Sequence, residues 1–315
     1  MQIVGFTAAH IEQAGQIAKQ NYENERRHVP ALPHIDSVPD LSQFAENGLG
    51  VAALEDGMVT GFLCAVGPFN NAFRSTDAIG VFSPMGAHGV IGENRMRTYA
   101  LMYSAAGERW VDAGASSHGI CLYAHDSEAK EQFFRYGFGM RCVDAVRNMD
   151  EVDAVFIEGY ECSELGSDEL LELLPLEHML DAHMKASPTF ILRPSATCES
   201  FLKRTESSES LFFAAKKDRE VVAYIRAERG GETFICDMPG YMHINGAFCL
   251  PEHRGKGLNQ TLLRLLVHKL KCQGYTRMGV DFESINPVAY GFWLKHFSAY
   301  THSAVRRIDE HAINR

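Results

Sequence analysis

The chain has 315 residues, 46% of them apolar and 22% charged, which suits a globular protein of two domains of about 100–200 residues each. Its formal net charge of −10, with fourteen neutral histidines, argues against broad docking on nucleic acid or an anionic membrane, since both need basic surface. None of the eight cysteines forms a CxxC pair and no His/Cys cluster has zinc-ligand spacing, so no metal is expected and the thiols read as reduced, mostly buried groups of a cytoplasmic protein. The opening MQIVGFTAAHIEQAG lacks a basic region followed by an apolar core, and no apolar run is long enough to span a membrane.

In chain order, residues 2–6 read as a strand, and Thr7 as the cap of a helix carrying Ile11, Ala14, Ile17, Ala18 and Tyr22 at helical spacing. Three prolines make 28–40 a loop, and a short helix is expected over 40–47. Segments 50–54 and 58–66 flank Glu55-Asp56-Gly57 and predict a hairpin. A strand over 78–83, a glycine-rich loop over 84–92, a helix over 93–106, a strand over 118–124 and a helix over 126–136 follow. The second half repeats the order. Helix 165–185, expected to break at Pro175, and helix 197–205 precede strands 211–216 and 220–227. Then come an apolar strand 241–250, a glycine-rich turn, helix 258–272, strand 278–283 and a helix from Asn286 to about Phe297. The order-level repeat implies a duplicated α/β domain.

The richest stretch is Arg254-Gly255-Lys256-Gly257-Leu258-Asn259, between strand and helix. Glycines let a backbone turn sharply against a ligand, and a helix start presents unsatisfied N–H groups to an anion. Arg254 and Lys256 add charge, so pyrophosphate is the natural ligand. A Walker loop is absent, and a Rossmann fingerprint fails at Gln260. The bland alternative is a turn that merely needs glycines.

On strand 278–283, Met278, Val280 and Phe282 share one face and Asp281 and Glu283 the other. Paired carboxylates on a central strand are costly unless paired or facing a cleft. Glu283, nearer the strand end, is the preferred general base. A salt bridge to Arg277, Arg306 or Arg307 is the competing reading. His243 titrates in a useful range, but a lone strand histidine is more often structural. Cys249 has no evident activating partner. The acidic stretches 161–164 and 169–177 read as solvated faces.

Arg254-x-x-Gly257-x-Asn259, followed by Asn286-x-x-Ala289-x-x-x-Trp293, resembles the GNAT family of acyl-CoA-dependent N-acyltransferases. The resemblance implies two tandem GNAT-like α/β (α+β) domains, each a mixed, mostly antiparallel sheet flanked by helices. Residues 1–155 would be a degenerate copy, and 156–315 the acetyl-CoA-binding catalytic domain. It implies acetyl-CoA as cosubstrate and a small primary amine as acceptor. Backbone contacts would come from Ala247, Phe248 and Cys249. The pyrophosphate would rest on Arg254, Gly255, Lys256, Gly257, Leu258 and Asn259, and Asn286 and Trp293 would face the CoA arm. Asn286 reads equally as a helix cap before Pro287. Trp293 stands where many relatives carry the tyrosine that protonates the departing thiolate, and an indole cannot serve as that acid. Tyr290 is one substitute, although it also reads as a packing aromatic. Asp281 and His243 complete the catalytic candidates. In the first half, Asp126-x-x-Ala129-x-x-x-Phe133 matches the second motif imperfectly, and loop 84–92 lacks the first, so no CoA is expected there. A non-catalytic acyl-CoA sensor and a transferase of a larger acyl group are the alternatives.

Overall fold

A computed structural model describes the chain except residues 75–76, 156, 207–209 and 314–315. It forms two compact units, one of residues 1–144 with 299–315, the other of residues 145–298.

The first unit opens with β1 (Gln2–Gly5), a short turn capped at Thr7, and α1 (Ile11–His28). Helical spacing lets α1 bury Ala14, Ile17, Ala18 and Tyr22, and the Tyr22 hydroxyl is held by Pro33 O at 2.6 Å. The loop and α2 (Ser42–Glu46) lead into the expected hairpin, β2 (Val51–Glu55) and β3 (Met58–Leu63). β4 (Val66–Phe69) and β5 (Gly80–Ser83) pair antiparallel. Within the stretch expected to be loop, His88–Val90 forms β6, which turns away from β5 to pair with β3. α3 (Arg95–Asp112), β7 (Ser117–Tyr123) and α4 (Ser127–Arg135) follow. β5 runs parallel to β7 from Gly80↔Ser117 to Ser83↔Ile120, and the chain then leaves β7 for the other sheet as β6. The core centres on Trp110, Tyr99, Tyr103, Phe133 and Ile120, and the Trp110 indole donates to Leu49 O at 2.9 Å.

β8 (Gly139–Asn148) carries the chain out of the first unit. The second unit holds β9 (Glu161–Glu164), α5 (Leu174–Lys185), α6 (Cys198–Glu206), β10 (Leu211–Lys217), β11 (Glu220–Glu228), β12 (Tyr241–Cys249), α7 (Leu258–Cys272), β13 (Arg277–Glu283) and α8 (Pro287–Trp293). The strand order is β13-β12-β11-β10-β9, antiparallel except for β12 with β13. Leu173, Leu176 and Phe201 pack with Phe212, Tyr224 and Phe248. α7 crosses β9 to β12 and buries Leu258, Leu262, Leu263, Leu266, Val267 and Leu270.

Two expectations are corrected. Pro175 does not break a helix; it sits in the first turn of α5, where no N–H is needed. The acidic stretches lie largely at the surface, as expected, and are paired there. Glu164 bonds Lys269 at 2.7 Å, Glu169 and Glu172 both reach Lys216 at 2.8 Å, and Glu177 accepts from the Tyr224 hydroxyl at 2.7 Å. The last helix stops at Trp293 rather than Phe297. After it, β14 (Ser298–Arg307), unforeseen in the sequence, pairs antiparallel with β7 from Thr301↔Tyr123 to Arg307↔Ser117. That register places 299–315 with the first unit, whereas the sequence division at 155 kept them with the second half. The Thr301 hydroxyl donates to buried Asp144, and Arg307 pairs with Glu310.

Candidate active site

The site grows from β12. Its pairing with β11 shifts between Arg226↔Gly246 and Ala227↔Ile244, which leaves Asn245 as an extra residue, a β-bulge. On its other edge, pairing with β13 ends at Ile244↔Val280, although the strands continue to Cys249 and Glu283. The two strands therefore part at the bulge, and backbone groups beyond it are left for something other than the ladder.

After Pro251–His253, a short 3₁₀ turn, Arg254 donates Nε to Cys249 O at 2.9 Å and lays its guanidinium over Phe248 at 5.5 Å. Gly255 and Gly257 take φ of 76° and 86°, left-handed values that a side chain strains to adopt. Gly257 caps α7 without any side-chain hydrogen bond, so the first N–H groups of the helix are uncapped by side chains. A cavity of about 330 Å³ opens here. Ala247, Phe248 and Cys249 form one wall, Arg254, Gly255, Gly257, Leu258 and Asn259 a second, and Asn286 and Trp293 a third. Lys256 does not line it; its ammonium donates to the Tyr160 hydroxyl at 3.0 Å.

Asn286 caps α8, accepting from Ala289 N at 3.4 Å, while it also lines the cavity, so the capping and cavity-facing positions coincide. Trp293 is buried against Phe292 and Phe297. Burial pushes the Cys249 thiol up to about 11, which keeps it un-ionised and unreactive.

His243 is 1% exposed and gives Nε2 to Asp281 Oδ1 at 2.7 Å, with Cys236 Sγ 3.7 Å from Nδ1. Burial opposes charge on the ring, but the hydrogen bonds to Asp281 and Cys236 prevail and push it up to about 10. At neutral pH it is an imidazolium, with no lone pair to take a proton. Glu283, at the end of β13, has Arg193 at 3.5 Å, not a partner that sequence order suggested. Tyr290 packs edge-on against Phe282 and lies outside the cavity lining.

Several residues of this region were not legible as functional. Arg226, 6% exposed, donates Nε to Asn245 Oδ1 at 2.9 Å and an NH2 to Asn245 O at 3.0 Å, and has Glu177 at 3.8 Å. Leu180 and His183 of α5 line the cavity, with the His183 ring 6.3 Å from Phe248. On α5 Asp181 is raised above the usual carboxylate range by burial and by the nearby charge of Glu177. Val155 and Asp153 border the turn; a Cβ on Gly257 would lie 2.5 Å from Val155 Cγ1, and Gln260 donates to Asp153 O. An Arg in a strand predicted as core was the one available signal for Arg226; helix 165–185 carried none for α5.

The residues fit a CoA thioester. An uncapped helix start and two left-handed glycines border the same cavity. Among the described residues no group of His, Cys, Asp or Glu could hold a metal ion, and no helix is long and apolar enough to cross a membrane.

Comparison with known proteins agrees with this geometry. Residues 176–298 match the model of the Acetyltransferase (GNAT) family. The fold is similar to that of a GCN5-related N-acetyltransferase from Sphaerobacter thermophilus, at 14% identity over 97% of this chain and 95% of that one, with a TM-score of 0.60. A tandem GNAT protein from the clavulanic acid biosynthesis pathway aligns at 13% identity over 97% of this chain and 98% of that one, with a TM-score of 0.46. No curated protein matches in sequence. The parted strands, the glycine turn and the matched segment coincide, and residues 176–298 are an acetyltransferase domain of the GNAT family.

Proposed function

We propose that the protein is a cytoplasmic acetyltransferase that moves an acetyl group from acetyl-CoA to a primary amine by direct attack in a ternary complex. The observation that carries this reading is the 330 Å³ cavity walled by the freed end of β12, the uncapped start of α7 and the residues of α8. The turn Arg254–Asn259 would hold the pyrophosphate on N–H groups, and the free edge of β12 at Ala247–Cys249 would hydrogen-bond the pantetheine arm. Acetyl-CoA supplies the activated acyl group; the rest falls to side chains.

Glu283 is the proposed general base. It takes one proton from the acceptor ammonium, so that the amine lone pair can attack the thioester carbon. The C–S bond then breaks, the attacking nitrogen sheds its second proton to solvent, and the thiolate needs a proton. Trp293 has none to give. His183, in the cavity wall beside Phe248, is the titratable group proposed to supply it. His243 would act at one remove, as a fixed cation that holds Asp281. Glu177, Asp181 and Asp281 give the region acidic character that suits a cationic acceptor. The first half as a copy that does not bind CoA remains part of this reading.

Thiol release from acetyl-CoA across a panel of primary amines tests the proposal. Amine-dependent release that loses its acidic limb in Glu283→Gln is expected. CoA binding without release on any amine would instead favour a sensor, the second reading, which Trp293 motivates.

A further inference from the structure

The first unit has a cavity of its own, about 350 Å³, walled by α1, the segment after β6, the end of β7 and the start of α4. That volume is in the range of small-molecule sites. Its polar groups are unevenly spent. Arg95, at the start of α3, donates to Val90 O, to Asn21 Oδ1 at 3.2 Å and to Asp126, with Glu128 3.6 Å away. The guanidinium is thus committed and its charge offset.

Glu25 is different. It is 2% exposed and is held by His125, which donates Nδ1–H to Oε1 at 2.7 Å and its backbone N–H to Oε2 at 3.1 Å. Burial raises its proton affinity above the usual carboxylate range, against the pull of those His125 bonds. Each oxygen keeps a further lone pair. The His28 ring stacks on that of His125 at 4.8 Å. His28 Nδ1 lies 3.0 Å from Asn24 O, and a carbonyl can only accept, so Nδ1 carries the hydrogen and Nε2 is a lone pair in the neutral ring. The same logic leaves an Nε2 lone pair on neutral His125. The Tyr123 hydroxyl, on a residue 4% exposed that lines the cavity, has no hydrogen-bond partner.

The walls therefore present acceptors in excess of donors. With neutral imidazoles, Glu25, Asp126 and Glu128 outweigh Arg95. A buried carboxylate and an orphan hydroxyl are costly without a partner, and a ligand rich in N–H groups would satisfy both. We infer that this cavity is a binding site for a small organic cation, a primary amine or diamine, with Glu25 as counter-ion and the Tyr123 hydroxyl and the two histidines as acceptors. An anion finds the guanidinium occupied and three carboxylates opposing it. The inference does not depend on catalysis in the second unit.

Butane-1,4-diamine is the probe. Calorimetric titration of the full chain should give saturable binding, weakened at least tenfold in Glu25→Gln and several-fold in the near-isosteric Tyr123→Phe. Location is read by NMR in the wild-type protein. The Cε1–H resonances of His28 and His125, assigned with His28→Gln and His125→Gln, should move along the same isotherm. That readout separates this cavity from any acceptor site in the second unit. Binding heat without those shifts, no saturable binding, or shifts driven by inorganic pyrophosphate rather than the diamine would each overturn the assignment.

Discussion

Arg226 grips the bulge of the neighbouring strand through both the side chain and the backbone of one residue, Asn245. The planar guanidinium makes both bonds at once, which an ammonium cannot copy. The bulge is where β12 leaves β13, so Arg226 sets the angle at which Ala247–Cys249 meet the cavity. Arg226→Lys should lower kcat/KM for acetyl-CoA by about tenfold or more, and stability by about 1–3 kcal/mol. Steady-state kinetics and thermal melts check it.

His243 and Asp281 make a pH-dependent contribution to stability. The folded ring is held at about 10 and an unfolded histidine titrates near 6.5, so the stabilising charge is fully present below about pH 6.5. It is lost as pH climbs through the folded value. The melting-temperature difference between wild type and His243→Gln should be largest near pH 6 and shrink steadily toward pH 10.

Gly255 and Gly257 separate strain from contact. Both have positive φ, but a Cβ meets open space at 255 and Val155 at 257. Left-handed backbone costs a non-glycine residue about 1–2 kcal/mol. Gly255→Ala should weaken CoA binding about three- to tenfold, and Gly257→Ala more. S-acetylpantetheine, which lacks the pyrophosphate, should be used equally well by wild type and Gly255→Ala.

Trp293 is proposed to shape the cavity rather than to move a proton. Trp293→Phe should keep kcat within about threefold, with an unchanged pH profile, whereas Trp293→Ala should cost about 3–5 kcal/mol of stability. His183→Gln is the variant expected to lower kcat, by about a hundredfold.

Each unit contains one of the two tryptophans, Trp110 in the first and Trp293 in the second. Deleting 299–315 removes most of β14 from the first unit. Trp110 emission should then shift toward that of exposed indole, while Trp293 emission persists; Trp110→Phe and Trp293→Phe backgrounds assign the signals.

The helices and central strands were legible because apolar spacing reports which faces are buried. The glycine turn was legible because left-handed backbone is written in glycine. β14 was not, since its alternation follows from a partner strand more than 170 residues earlier in the chain. Arg193 beside Glu283, Arg226 beside Asn245 and His243 beside Asp281 were likewise hidden, because each pair joins separate elements. For His243, the charge depended on Asp281 and Cys236 across the fold.

The return of β14 to the first unit has a consequence for synthesis. Residues 145–298 must all emerge from the ribosome before β7 receives that neighbour. At about 5–20 residues per second, the wait is on the order of ten to thirty seconds. Throughout it, the apolar strand Ser117–Tyr123 has an open edge of the kind that recruits other chains. The later half can finish first, while that edge of the newborn first half stays open.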